Sequence, residues 1–140
     1  MNEVYVNAPR ERVFEVLEDP RSYGDWVVGS RKIRNSDAAF PQRGSRLHHQ
    51  VGVPPLLLHD HTEVVDMERP QRLVLLAKAR PLGVARVEMT LRSHGQGTQV
   101  RMVEEPGNRL SRLAFNRLTD RVVHLRNTKA LQRLKGLAER

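Results

Sequence analysis

The stretch Asn108–Glu139, NRLSRLAFNRLTDRVVHLRNTKALQRLKGLAE, reads as one long helix. Pro106-Gly107 breaks the chain before it, Asn108 is a favourable N-cap residue, and no proline follows. At 1.5 Å per residue it would run roughly 45 Å, long enough to cross a small domain. Its first half carries Leu110, Ala114, Leu118, Val122 and Leu125 at helical spacing, an apolar stripe expected to face the interior. Its second half carries Leu125, Leu131, Leu134 and Leu137, with Thr128 completing a series in steps of three. Each such step falls about 60° short of a turn, so the stripe winds around the helix as it advances. A flat partner cannot cover a winding stripe, whereas a curved sheet can.

The same stretch, taken to Arg140, holds most of the excess charge. It has nine Lys/Arg and two acids, while Met1 to Asn108 is nearly neutral with fifteen bases against fourteen acids; the whole chain carries +8. Arg126, Lys129, Arg133 and Arg140 fall on one side, away from Leu131 and Ala138. Such a ridge suits either a solvated face or contact with an anionic surface.

At 140 residues the chain is long enough to bury its own core, and residues 1–140 are expected to form one domain. A 39% hydrophobic and 29% charged composition is that of a globular protein. The absence of cysteine excludes disulfides, thiolate nucleophiles and cysteine metal sites. The first residues lack the pattern of a secretory signal, and no apolar run approaches the ~20 residues that span a bilayer. A cytoplasmic protein that is not transmembrane is therefore expected, with its oligomeric state left open. No phosphate loop, dinucleotide glycine fingerprint or nucleophile elbow is present, and no cofactor is expected. Only 4% of residues are aromatic, which argues against stacking platforms for single-stranded nucleic acid, and no specific nucleic-acid binding is expected.

Glu3–Val6 alternates as a first strand. Pro9 then opens a helix whose apolar face is Val13, Phe14 and Leu17, and Asp19-Pro20 ends it and caps a second short helix carrying Tyr23 and Trp26. From Val27 to Glu105, Gly and Pro clusters punctuate the chain at hairpin intervals. Candidate strands lie near Ser30–Arg34, Arg46–Val51, Leu57–Met67, Arg72–Arg80, Ala85–Ser93 and Thr98–Glu105. Ala85, Val87, Met89 and Leu91 alternate with Arg86, Glu88, Thr90 and Arg92, which predicts an antiparallel sheet with one buried face. The expected fold is α+β: a curved antiparallel sheet of about seven strands wrapped around the long C-terminal helix, with two short helices after strand 1. Small residues such as Ala77, Ala79 and Ala85 would leave a cavity between sheet and helix.

Asn7-Ala-Pro-Arg-Glu-Arg-Val-Phe14, Asp19-Pro20, Tyr23-Gly-Asp-Trp26, Glu63-Val-Val-Asp-Met-Glu-Arg-Pro70, Gly97-Thr-Gln-Val100 and Leu131-Gln-Arg-Leu-Lys135 occur in this order. With these segments the chain resembles, nearly end to end, the START/Bet v 1-like (SRPBCC) superfamily, in particular its bacterial polyketide cyclase/dehydrase and lipid-transport branch. The resemblance implies a helix-grip fold with a hydrophobic cavity, and either carriage of lipids, sterols, polyketides or quinones or cyclase/dehydratase activity on such molecules. It transfers no catalytic residue.

Several residues invite chemistry. His59 and His61, two apart on a strand, share a face and could ligate one metal with Glu104, His49 or Glu63, but equally suit the polar side of an edge strand. If Leu47 and Val51 face the cavity, so does His49, as a rim hydrogen-bonding group or a general base. Glu104 continues the buried face of Val100 and Met102, where an unpartnered carboxylate is costly; it must reach solvent, turn on a bulge, or meet an Arg or a ligand. The ligand site is expected to comprise Trp26, Leu47, His49, Met89, Met102, Glu104, Phe115, Leu118, Val122 and Leu125, with no metal. Three readings follow: a binding module for a small hydrophobic or amphipathic ligand, a cyclase or dehydratase using His49 and Glu104, and docking to an anionic partner through the basic helix.

Overall fold

The structure, a computed structural model, describes residues 1–27, 30–53, 56–79, 83–109 and 117–140; at 30–36, 50–53, 56–58, 79 and 117–119 it describes the backbone alone. Hairpin-spaced turns and alternating sequence give seven strands: β1 (Asn2–Val6), β2 (Ser30–Ser36), β3 (Arg46–Val53), β4 (Leu56–Glu68), β5 (Arg72–Ala79), β6 (Gly83–His94) and β7 (Gly97–Pro106). They join in one antiparallel sheet of order β1-β7-β6-β5-β4-β3-β2. Consecutive strands from β2 to β7 are neighbours, and β1 closes the far edge beside β7. The chain must therefore travel from one edge of the sheet to the other between β1 and β2. It does so through α1 (Arg10–Glu18), a 3-10 turn (Pro20–Ser22) and α2 (Tyr23–Trp26).

Local chemistry sets these boundaries. Pro9 occupies the N-cap of α1, and Val13, Phe14, Val16 and Leu17 form its buried side at spacings of three and four. The Asp19 carboxylate accepts from the Arg21 N–H at 3.0 Å and caps the following turn, as its sequence position predicts. Between β6 and β7, Gly95 takes the left-handed conformation (φ 61°) that a tight turn requires. At Gly97 a Cβ would stand 2.5 Å from the Val6 carbonyl oxygen, so its missing side chain lets β1 lie close to β7.

The described part of the C-terminal helix, α3, is Arg117–Ala138. Residues 110–116, including the first part of the apolar stripe, lie outside the described residues. The rest of that stripe differs from the sequence expectation. Its buried positions are Asn127, Ala130, Leu131, Leu134 and Ala138, with Leu137 partly buried beside them. The steps from 127 to 131, 134 and 138 alternate four and three, which keeps one face of a 3.6-residue helix in line, so this part of the stripe runs straight. Leu125 and Thr128, assigned to a winding stripe, are exposed, as is Val122. The steps of three were misleading because the buried series passes through a polar residue, Asn127.

α3 packs on β1, α1 and α2. Leu131, Leu134 and Ala138 join Val4, Val6, Val13, Phe14, Leu17, Trp26, Leu91, Val100 and Met102 in one core. Its C-terminal carbonyls, left open by the end of the helix, are taken by Arg12, whose Nε and Nη2 donate to Ala138 O (3.2 Å) and Leu137 O (3.1 Å). Lys135 Nζ donates to Tyr5 O on β1 at 2.9 Å. Glu139 accepts from the Asn7 N–H and from Lys135, and these two donors hold its carboxyl below the usual carboxylate range, the Lys135 bond contributing most. This is a helix-grip fold of α+β class, with the helix seated toward the β1 edge.

Two variants locate the helix's true face. Leu134→Ala, at a fully buried position, should cost about 2–5 kcal/mol, whereas Leu125→Ala should stay within about 0.5 kcal/mol of the parent in urea denaturation. Equal costs would mean that the stripe winds after all.

Tyr23 generates a pH prediction. Its ring packs against Trp26 and Phe40, and its hydroxyl is buried with no hydrogen-bond partner among the described residues. Burial pushes the phenol well above its ordinary value of 10.0. The folded protein then holds a proton that the unfolded chain releases, so stability is intact below pH 10.0 and falls as pH rises beyond it. Tyr23→Phe should flatten that alkaline loss and gain about 1 kcal/mol at neutral pH, where an unpaired buried hydroxyl only costs. Thermal melts of both proteins across the alkaline range would check both signs.

Candidate functional site

Alternation gives each strand an inner face, and the pairing register aligns these faces into rows. One row is Met102, Met89 and Leu73; the next is Glu104, Val87, Leu75 and Val64; then come Ala85, Ala77, Thr62 and Leu47; and last Asp60 and His49. The first row is buried with the core. In the following rows Val87, Ala85 and Ala77 face inward yet are only half-buried. The concave face is therefore fully buried toward β1 and α1 and only partly buried at these three small or branched side chains.

Polar groups flank this stretch on both sides. On β3 and β4, His49, Thr62 and Asp60 are all buried; His49 Nε2 and Thr62 Oγ1 share a hydrogen bond of 2.9 Å, and Asp60 Oδ1 accepts the His61 N–H. On β7, the Glu104 side chain is only 6% exposed, and Arg126 Nη2 lies 2.7 and 2.5 Å from its two oxygens. Asn127 Nδ2 donates to Glu104 Oε1 at 3.2 Å. Nearby, Asn2 Nδ2 donates to His124 O and to Thr128 Oγ1, which ties the start of β1 to α3.

Beside this second group lies a cleft of about 560 Å³ between the first residues of β1, the end of β7 and the first turns of α3. Met1, Asn2, Glu104, Asp120, Arg121, Val123, His124, Leu125 and Asn127 line it. Glu104 thus belongs both to the inner face and to the cleft wall.

The residues singled out from sequence separate on this scaffold. Leu47, His49, Met89, Met102 and Glu104 all face the concave side, with Leu47, Met89 and Met102 buried in the core. Trp26 is a core residue: it is 3% exposed and its Nε1 donates to Ser22 Oγ, so it fastens α2. Leu125 reaches the cleft from the exposed side of α3, and Val122 points to solvent, contrary to the expectation that both face the sheet. Phe115 and the Leu118 and Ala79 side chains lie outside the described residues. His49 and Glu104 do not converge. They stand on β3 and β7, four strand spacings apart or roughly 19 Å along the sheet, so the pairing expected of a cyclase site is not formed by these two. Glu104 meets an Arg, one of the alternatives its position allowed. Arg126 correspondingly leaves the outward ridge, where Lys129, Arg133 and Arg140 remain exposed.

His59 and His61 lie on the outer face, with His48 across from His61 on β3 and with His49 and Glu104 on the opposite face. Among the described residues no group of three His, Cys, Asp or Glu is placed to hold a metal ion, and no helix is long and apolar enough to cross a membrane. Asn2, Thr62 and Asn127 were not legible as site residues. Thr62 was detectable only through the β3–β4 register, and Asn127 only as a polar break in an apolar helix face.

A family profile described as polyketide cyclase / dehydrase and lipid transport matches residues 2–139. No curated protein matches the chain. Among solved structures, a protein of Nitrosomonas europaea is similar with a TM-score of 0.74 at 14% identity, covering 98% of this chain and 91% of its own. A Mesorhizobium loti protein gives 0.68 at 20% identity, with 97% and 93% covered. The solution structure of a Bacillus halodurans protein gives 0.64 at 22% identity, with 99% and 94% covered. Likeness at these identities shows a shared fold.

The Glu104–Arg126 pair can be tested by a cycle. Arg126→Ala leaves a buried carboxylate with the Asn127 amide alone and should destabilise by about 1–3 kcal/mol. Adding Glu104→Gln removes the charge and should return much of that loss, so the double variant is milder than Arg126→Ala. Additive losses would make the contact incidental.

Proposed function

The chain belongs to the polyketide cyclase/dehydrase and lipid transport family, and on that premise we propose that it binds a small amphipathic molecule between the concave sheet and α3. The observation that carries this reading is the half-buried floor of Val87, Ala85 and Ala77, inward-facing residues with fully buried neighbours in the adjacent row. A protein core is normally close-packed, so side chains that face inward without being covered mark room for something else. An apolar body of lipid, polyketide or quinone type suits that floor. The His49–Thr62 pair at one flank and the Glu104–Arg126–Asn127 group at the other offer polar anchors. The cleft beside Glu104 supports a route inward.

Native mass spectrometry of the purified protein, followed by organic extraction, should find a stoichiometric apolar passenger or an empty protein that takes up a fluorescent long-chain fatty acid. Ala85→Phe should fill the floor, weaken uptake by about tenfold or more, and leave stability within about 1 kcal/mol of the parent. If the added ring instead destabilises the fold by more than that and leaves uptake intact, the floor is packed core and the proposal fails.

A further inference from the structure

We propose that the solvent face of α3 docks on an anionic lipid bilayer. Met1, Val122 and Leu125 are 62, 59 and 69% exposed, the three most exposed large apolar side chains among the described residues. They are not scattered. Met1 and Leu125 line the same cleft, and Val122 precedes Leu125 by one helical turn. Isolated exposed apolar residues need no explanation, but two at the rim of one opening with a third one helical turn away form a patch.

Cations surround this patch. At 100° per residue, Arg121, Val122, Leu125, Lys129 and Arg133 fall within an arc of about 120°, opposite the buried Asn127, Leu131, Leu134 and Ala138. All five are exposed. No acid lies in that arc between Arg121 and Arg133. Glu139, farther along the helix, is occupied by Lys135 and the Asn7 N–H. Asp120, exposed at the cleft, lies outside that arc beside Arg121, so the face presents Val122 and Leu125 among three cations, with no acid in the arc itself.

That combination fits the surface of an anionic bilayer. Anionic headgroups attract the Lys and Arg ends, whose flexible stems adapt to a fluid surface, while apolar side chains enter the boundary of the acyl region. A polyanion such as RNA would use the cations and gain nothing from Val122 and Leu125. A stable protein partner generally covers about 800 Å² on each side, far more than three side chains supply. The docking itself does not depend on what the interior holds. That it would load the interior rests on the binding role proposed above, because Arg121 and Leu125 belong both to this face and to the cleft.

Co-sedimentation of the full chain with phosphatidylcholine vesicles, with and without roughly a third phosphatidylserine, tests the proposal. Binding is expected only to the anionic vesicles and should be released as salt rises from about 0.05 to 0.5 M. Lys129→Ala with Arg133→Ala should weaken partition about 25-fold, near fivefold for each cation. Val122→Ser with Leu125→Ser, at exposed positions that leave the core intact, should weaken it about tenfold. Arg92→Ala, exposed on β6, should change nothing. Absence of binding to anionic vesicles at low salt would overturn the proposal. So would serine variants that bind like the parent, since the face would then be a general polyanion surface. A protein that takes up the fluorescent fatty acid but ignores both vesicles would lose the docking face and keep the binding role.

Discussion

The structure depends on where the C-terminal helix is fastened against the sheet. The C-terminal end of α3 is held by an apolar seat, Leu131, Leu134 and Ala138, in the core beneath β1 and α1. Arg12 takes the last carbonyls, and Lys135 and Glu139 bind the edge backbone at Tyr5 and Asn7. Burial supplies the driving force there, and the charged groups mainly fix position, because exposed ion pairs contribute little stability. With the helix held toward the β1 edge, Val87, Ala85 and Ala77 on the central strands keep their inner faces only partly covered.

The other end of the seat is polar. Glu104, Arg126, Asn127, Asn2, His124 and Thr128 form contacts between β7, β1 and α3 where an apolar stripe would be simpler. Apolar side chains can slide along one another, whereas a carboxylate held by a guanidinium and an amide accepts one arrangement. This group ties α3 to β7 beside the cleft whose wall Glu104 forms.

Much of this fold can be read from the amino-acid pattern. Alternation along β6 and β7 locates the inner face, and parity from Leu47 places His49 on it. Glu104 stands out as a charge on a buried face for the same reason. Its partner does not, because an arginine beside the buried face of a helix can extend to water or bend back, and local sequence carries no sign of which. The helix departs from its hydropathy pattern where Asn127 takes a buried position and Leu125 an exposed one. In both places tertiary contacts outweigh hydropathy: Asn127 is needed by Glu104, and Leu125 lies at the cleft. Thr62 could not be identified before the β3–β4 register was known.

These exceptions are informative because none is what burial of apolar surface alone would select. Burying the Glu104 carboxylate carries a desolvation cost that its half-exposed Arg126 partner only offsets, and an exposed leucine contributes nothing to the core. A sequence shaped for stability alone would put leucine at 127 and a polar residue at 125. This one does the reverse within two residues of one helix, both bordering the same cleft. Departures from the folding pattern are expected where a surface has a second task. Here they coincide with the opening between sheet and helix, so that opening is the part of the molecule least explained by the needs of the fold.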